Sequence, residues 1–235
     1  MHLWDTVDKG GIPLNKTKLG LTAAHLRILA LTFMLFDHLW ATVVPGNDWM
    51  HYLGRLAFPI FAFQAAEGYH HTHDFKGYCK RLGLFALISE IPFNLMIIGS
   101  PIFPFHQNVM LTLLLGLLAC RAYDRKKWLS MVGWFLLGAF SFCDYGAAGV
   151  LTVLMFHVFR EQKMGQLLML FIINWFCYEG QQLLVGSFEI PLQAIAIFAF
   201  LPICLYNGEK GKGGKALQYG SYLFYPVHML ILGLM

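Results

Sequence analysis

Residues 31–40 read LTFMLFDHLW, an apolar helical run with an acid–imidazole pair, Asp37-His38, set inside it. The run suits lipid and the pair does not. A titratable side chain at bilayer depth costs about 2.5–3.5 kcal/mol on insertion scales. Two in succession therefore call for a protein-lined or water-filled surrounding. The plainer reading, a helix end facing headgroups, weakens as further polar residues turn up at the same depth.

Hydrophobic residues make up 57% of the 235 and charged residues 13%, with a mean hydropathy of +0.57. A soluble domain carries roughly 25% charged residues. The expected fold class is therefore all-α: a polytopic integral membrane helical bundle, with residues 1–25 a cytoplasmic amphipathic or irregular lead-in and 26–235 a single transmembrane domain. The opening MHLWDTVDKGG has no apolar core and is not read as a cleavable signal peptide. Five scattered cysteines without close-pair spacing support neither a zinc knuckle nor a disulfide framework. The net charge of +4 is no sign of nucleic-acid binding, because in a membrane protein the placement of positive charge matters more than its sum.

Apolar runs separated by turn residues divide the chain into about nine spans, the fifth, sixth and seventh of them short for a bilayer. They fall near 26–44, 52–69, 82–98, 107–122, 128–142, 147–159, 166–178, 189–205 and 216–235. Numbering the connections alternately inside and outside puts every lysine and arginine except Arg55 on one side. By the positive-inside rule the N-terminus is cytoplasmic and the C-terminus outside. The expected location is the cell membrane, in a bacterium the cytoplasmic membrane.

At 1.5 Å per helical residue, Asp37, His38, Arg55, Glu90, Gln107, Asn108, Asp144, Tyr145 and His228 all fall between the bilayer centre and the outer face. They are expected to line a shared cavity. His106 is read as a loop residue and His157 as a packing or interfacial histidine. The run EGYHHTHD, 67–74, has the i, i+3 and i, i+4 spacing of a metal site, but a cytoplasmic helix end explains it and no metal is expected. Lys76, Lys80 and Arg81 form a basic rim suited to an anionic cofactor. The stretch GEKGKGGK, 208–215, lacks the phosphate-loop spacing and is not read as a nucleotide site.

Six motifs occur in order: LTFMLFDHLW, GRLAFPIFAFQAAEGY, LFALISEIPFNL, QNVMLTLLLGLLA, DYGAAGVLTVLMFHVFR and YPVHMLIL. Together they resemble the TraX family of membrane proteins, named for a protein that acetylates the N-terminal amine of pilin. The last span also resembles the terminal helix of the acyltransferase-three proteins, which O-acetylate envelope glycans. The resemblance implies transfer from cytoplasmic acetyl-CoA to an amine or hydroxyl of a peptide or glycan acceptor. It marks Asp37, His38, Arg55, Glu67, Glu90, Asn108, Asp144 and His228 as family-pattern positions. A histidine suits the base because its pKa lies near working pH. His38 is the first choice, with Glu90 from another helix as its orienter, since neighbours on a helix point about 100° apart. His228 is the second acid–base group or an acyl relay. Arg55, Asn108 and Tyr145 are the expected donors to an oxyanion or acceptor. Lys76, Lys80 and Arg81 are the expected hold on acetyl-CoA; a homodimer is left open. The rival reading is a proton-coupled small-molecule transporter using the same Asp, Glu and His groups, but the internal repeat expected of one is not found.

Overall fold

A computed structural model describes residues 20–178 and 180–235. Lys9, Lys16 and Lys18, and most of the lead-in, lie outside the described residues. Helix α1, Ala23–Thr42, opens with a capping box: Thr22 Oγ1 accepts from the His25 amide, and His25 Nδ1 accepts from the Thr22 amide at 3.2 Å. There follow α2, Asp48–Gly54; α3, Ala57–His71; α4, Phe75–Ile98; α5, Val109–Asp124; α6, Trp128–Phe140; α7, Gly146–Val158; and α8, Lys163–Phe176. A hairpin of β1, Gln182–Val185, and β2, Phe188–Pro191, leads into a 3-10 segment, Leu192–Ala199. Helix α9, Phe200–Cys204, and helix α10, Gly214–Gly233, close the chain.

Two expected spans are not single helices. The second breaks into α2 and α3 at Arg55. Gly54 there packs so close to α1 that an added Cβ would sit 2.4 Å from the Asp37 Cβ, and Arg55 turns back to pair with Asp37. The eighth begins not as a helix but as the hairpin, with Val185 opposite Phe188 across a two-residue turn at Gly186, where φ is +63°. Pro191, which has no amide proton, ends β2. The chain is thus mostly helical rather than purely so.

The elements gather at two ends. At one, the starts of α1, α4 and α10 and the end of α3 line a common cavity. The ends of α5 and α7 join them through Asp124 and His157, 2.7 Å apart. Arg27, Arg81, Arg121, Arg160, Lys210 and Lys212 collect here, so this is the basic end. At the far end, α2, the start of α7, the end of α8 and the hairpin surround a second cavity.

The core is apolar, but large apolar side chains are also exposed and several polar ones fully buried. Leu87 is 78% exposed, Leu129 88% and Phe140 74%, whereas Ser89, Asn108, Thr112 and Gln166 are within 1% of fully buried. Among the described residues, Phe75–Ile98 is the one helix long and apolar enough by length and composition to cross a membrane. Helices α6 and α7, with 13 residues each, reach only about 20 Å, short of a hydrocarbon core of about 30 Å.

Candidate functional site

His38 does not meet Glu90; it meets His228. Nδ1 of His38 lies 2.7 Å from Nε2 of His228, and Nδ1 of His228 lies 2.7 Å from the backbone carbonyl of Phe224. A carbonyl oxygen only accepts, so His228 carries its proton on Nδ1 and accepts on Nε2. His38 must then donate from Nδ1, which leaves its Nε2 with a free lone pair. Three groups in a row therefore fix the tautomer of one imidazole.

Asp37 turns the other way, as the 100° step between helical neighbours requires. Its carboxylate accepts from His51 Nδ1 at 2.7 Å and pairs with the Arg55 guanidinium. Trp40 lies flat against His51, with ring centres 3.8 Å apart, and donates to Asp48 at 3.2 Å. Arg55 also reaches Gln193, whose amide donates to Asn174 at 3.1 Å. These groups back a cavity of about 280 Å³ at the far end, walled by His51, Arg55, Asp144, Tyr145, Tyr178 and Gln181 among others.

The cavity at the basic end holds about 460 Å³. Arg27, Arg81, Lys210 and Lys212 line it, the lysines coming from the glycine-rich loop before α10. Gly211 and Gly213 take φ values of +75° and +107°, which side chains rarely adopt. An added Cβ at Gly211 would meet the Thr22 hydroxyl at 2.2 Å. A narrower, mostly apolar slot of about 100 Å³ leads off this cavity, with Arg27, Gln64, Tyr78, Gln218 and Tyr222 common to both. It runs between Leu31 and Met34 of α1 and Tyr225 of α10. Met34 is one helical turn before His38, and Tyr225 one turn before His228. On α1 the positions 27, 31, 34 and 38 form one stripe. At 1.5 Å per residue it carries Arg27 to within about 16 Å of His38.

Residues 22–235 match the TraX protein family. The chain belongs to the TraX family. It is also 28% identical over 229 residues to a probable fimbrial assembly protein FimC, serogroup H1, of Dichelobacter nodosus, covering 90% of this chain and 94% of that protein. No solved structure matches the chain.

In this TraX-family chain the expected site residues do not all come together. Asp37, Arg55, Asp144 and Tyr145 stand at the far cavity, and His38 with His228 stands beyond the slot. Glu90, the expected orienter, is spent on Asn108: its Oε2 accepts from the Asn108 side-chain amide at 2.5 Å, and Asn94 donates to its other oxygen at 3.4 Å. Asn108 is the N-cap of α5, accepting from Met110 at 3.1 Å. The pair is an α4–α5 clasp rather than part of the histidine site. Gln107 serves a turn, its amide donating to Pro104 and its backbone exchanging bonds with Phe142 and Asp144. Glu67 lies at the basic cavity, held by Arg160 at 2.7 Å and near His71 at 3.3 Å, far from the Asp37 group. Of the expected basic rim only Arg81 lines the cavity; Lys76 and Lys80 are exposed outside it. Lys210 and Lys212 take their place because the helix ends converge there, a juxtaposition with no mark in local spacing. His157, expected to pack, is bonded to Asp124 at 2.7 Å and His70 at 3.0 Å, with Tyr69 donating to Asp124.

The sequence reading missed His51, which it passed over as a residue beside the turn at 45–48. It also missed Arg27, although the 3.6-residue stripe from Arg27 to His38 was available to find it.

Proposed function

We propose that the protein is an integral membrane acetyltransferase that takes an acetyl group from cytoplasmic acetyl-CoA and passes it to an amine or hydroxyl of an acceptor near the outer face. The observation that carries this is the four-cation cavity joined to an apolar slot whose Met34 and Tyr225 lie one helical turn from His38 and His228. The membrane setting is supported by the exposed apolar surface of helices such as α4 and α6 and by the collection of basic residues at one end, which on this reading is the cytoplasmic one. On this reading the chain makes about nine passes, α2 and the hairpin forming an outer cap. The short helices α6 and α7 sit in a locally thinned bilayer.

The basic cavity suits an acetyl-CoA donor. Its four cationic side chains match a polyphosphate, and the Arg81 Nε is buried without a partner among the described residues. Arg27, Arg81, Lys210 and Lys212 would hold the phosphates, and Tyr78, Met34 and Tyr225 would flank the acyl-bearing arm in the slot. Bound acetyl-CoA supplies an acetyl group activated as a thioester. His38 Nε2 is the reactive lone pair, presented in one tautomer by His228 and the Phe224 carbonyl. Asp37 and Arg55 shape the acceptor cavity rather than take part in the chemistry at His38. The fimbrial assembly relative makes a fimbrial subunit the first acceptor to try, with envelope glycans next.

A proton-coupled transporter would use the same buried groups, but it has no need of a four-cation pocket joined to an apolar slot. The test is incubation of purified protein with labelled acetyl-CoA. The parent binds the donor and releases CoA, and His38→Ala binds but does not release. Failure of the parent to do either removes the transferase reading.

A further inference from the structure

His51 is held in place by a carboxylate and an indole. Its ring is buried to 8% exposure, and a carboxylate holds its Nδ1. The indole of Trp40 fixes its plane, and its Nε2 comes 3.2 Å from the side-chain oxygen of the exposed Gln181 at the edge of the far cavity; Nε2 has a free lone pair only once that oxygen leaves or the amide turns its nitrogen there. A carboxylate that orients one imidazole nitrogen while the other faces a cavity is the arrangement of a general base. Asp37 and His38 are adjacent in sequence, yet they serve two different imidazoles. Asp37 positions His51 at the far cavity, and His38 lies one helical turn beyond Met34, which lines the slot.

We infer that His51 is the base that deprotonates the acceptor, with Asp37 as its positioning residue, and that His38 carries the acetyl group between the two cavities. This rests on the transferase reading. In the first half-reaction His38 Nε2 bonds to the acetyl carbon and the carbon–sulfur bond breaks, its electron pair leaving on sulfur, which takes a proton from water at the cytoplasmic mouth. The His38 Nδ1 proton passes to His228 Nε2, leaving a neutral acetyl-imidazole. In the second, the acceptor gives its N–H or O–H proton to His51 Nε2 and bonds to the acetyl carbon. The carbon–nitrogen bond to His38 breaks, its electron pair returns to the ring, and His228 returns the proton to Nδ1. His51 then releases its proton to water in the outer cavity. Gln181, exposed and lying over His51, moves aside when the acceptor enters.

The test compares two nucleophiles on protein in nanodiscs. Hydroxylamine is already nucleophilic at neutral pH and needs no base; 2-aminoethanol must lose a proton. The variants are His51→Asn, whose amide can still donate to Asp37, and His51→Gln, which keeps a polar atom near the Nε2 position. Both are expected to release one equivalent of CoA without acceptor and to transfer acetyl to hydroxylamine within about threefold of the parent. Both lose about 10²-fold or more with 2-aminoethanol, the usual contribution of a positioned base. His38→Ala loses both acceptors and the initial release. Equal loss with the two nucleophiles in either folded variant makes His51 structural and overturns the inference, as does undiminished transfer to 2-aminoethanol. No CoA release from the parent with either nucleophile removes the transferase reading itself.

Discussion

Asp37→Asn is the sharpest test of the arrangement, because the carboxylate serves a cation and an imidazole together. The carboxylate side chain is 21% exposed and that of Arg55 is 19% exposed. Removing one partner of a buried ion pair costs about 3–5 kcal/mol, because the other charge is left uncompensated. Asparagine retains one acceptor oxygen, and the site is not fully dry, so the expected loss is at the low end, about 3 kcal/mol. In a chain of this size 1 kcal/mol moves the midpoint by roughly 2–4 °C, so a thermal scan in detergent should fall by about 6–12 °C. Most of that cost is the stranded guanidinium. The double variant Asp37→Asn/Arg55→Gln, which removes it, should therefore recover more than half the loss. An unchanged midpoint in the single variant, or a double variant that falls by the sum of the two singles, would refute the reasoning.

Gly54→Ala forces a methyl group into the Asp37 side chain; a loss of about 1–3 kcal/mol from overpacking is expected, measured by the same scan, with acceptor transfer falling more than donor binding. His228→Ala leaves His38 Nδ1 without its acceptor, so CoA release should fall by about 10²-fold or more while the Kd for labelled acetyl-CoA is unchanged; an equal fall in binding would place His228 in the donor pocket instead. Lys210→Gln/Lys212→Gln removes two charges from the basic cavity, and the Kd for acetyl-CoA should rise about tenfold and lose part of its salt dependence; no change would return those lysines to the plain role of inside charges. His106, in the loop before α5, lies 3.9 Å from Asp144, and that carboxylate raises its pKa against the opposing effect of partial burial. A raised pKa adds stability that is full below the unfolded value near 6.5 and is lost as pH rises through the folded value. A stability-versus-pH series should show this small slope in the parent and not in His106→Ala.

Hydropathy and the separation of basic residues were enough to give the helical character, most of the turns and the basic end of the molecule, although α4 begins at Phe75, inside the polar stretch before the third expected span. Each depends on local composition repeated along the chain, and outward-facing apolar surface leaves a strong local mark. The 100° offset on α1 likewise separated Asp37 from His38 before any fold was known. What the residues alone did not disclose were partners. Depth alone suggested Glu90 as the orienter of His38, and only the packing of α10 against α1 and α4 brings His228 to it instead. The second span looked continuous although GRLAFP carries the signal for its break: Pro59 has no amide to bond the Arg55 carbonyl one turn back; what the sequence did not show is that the Arg55 side chain turns back to Asp37. His51 was invisible as a site residue until α2 folded onto α1, and the GEKGKGGK loop read as plain inside charge until the starts of α1, α4 and α10 closed around it. Local sequence fixes what each segment can bury and on which side its charge lies. Which charge meets which is a matter of contacts between segments far apart in the chain, and only the tertiary structure decides it.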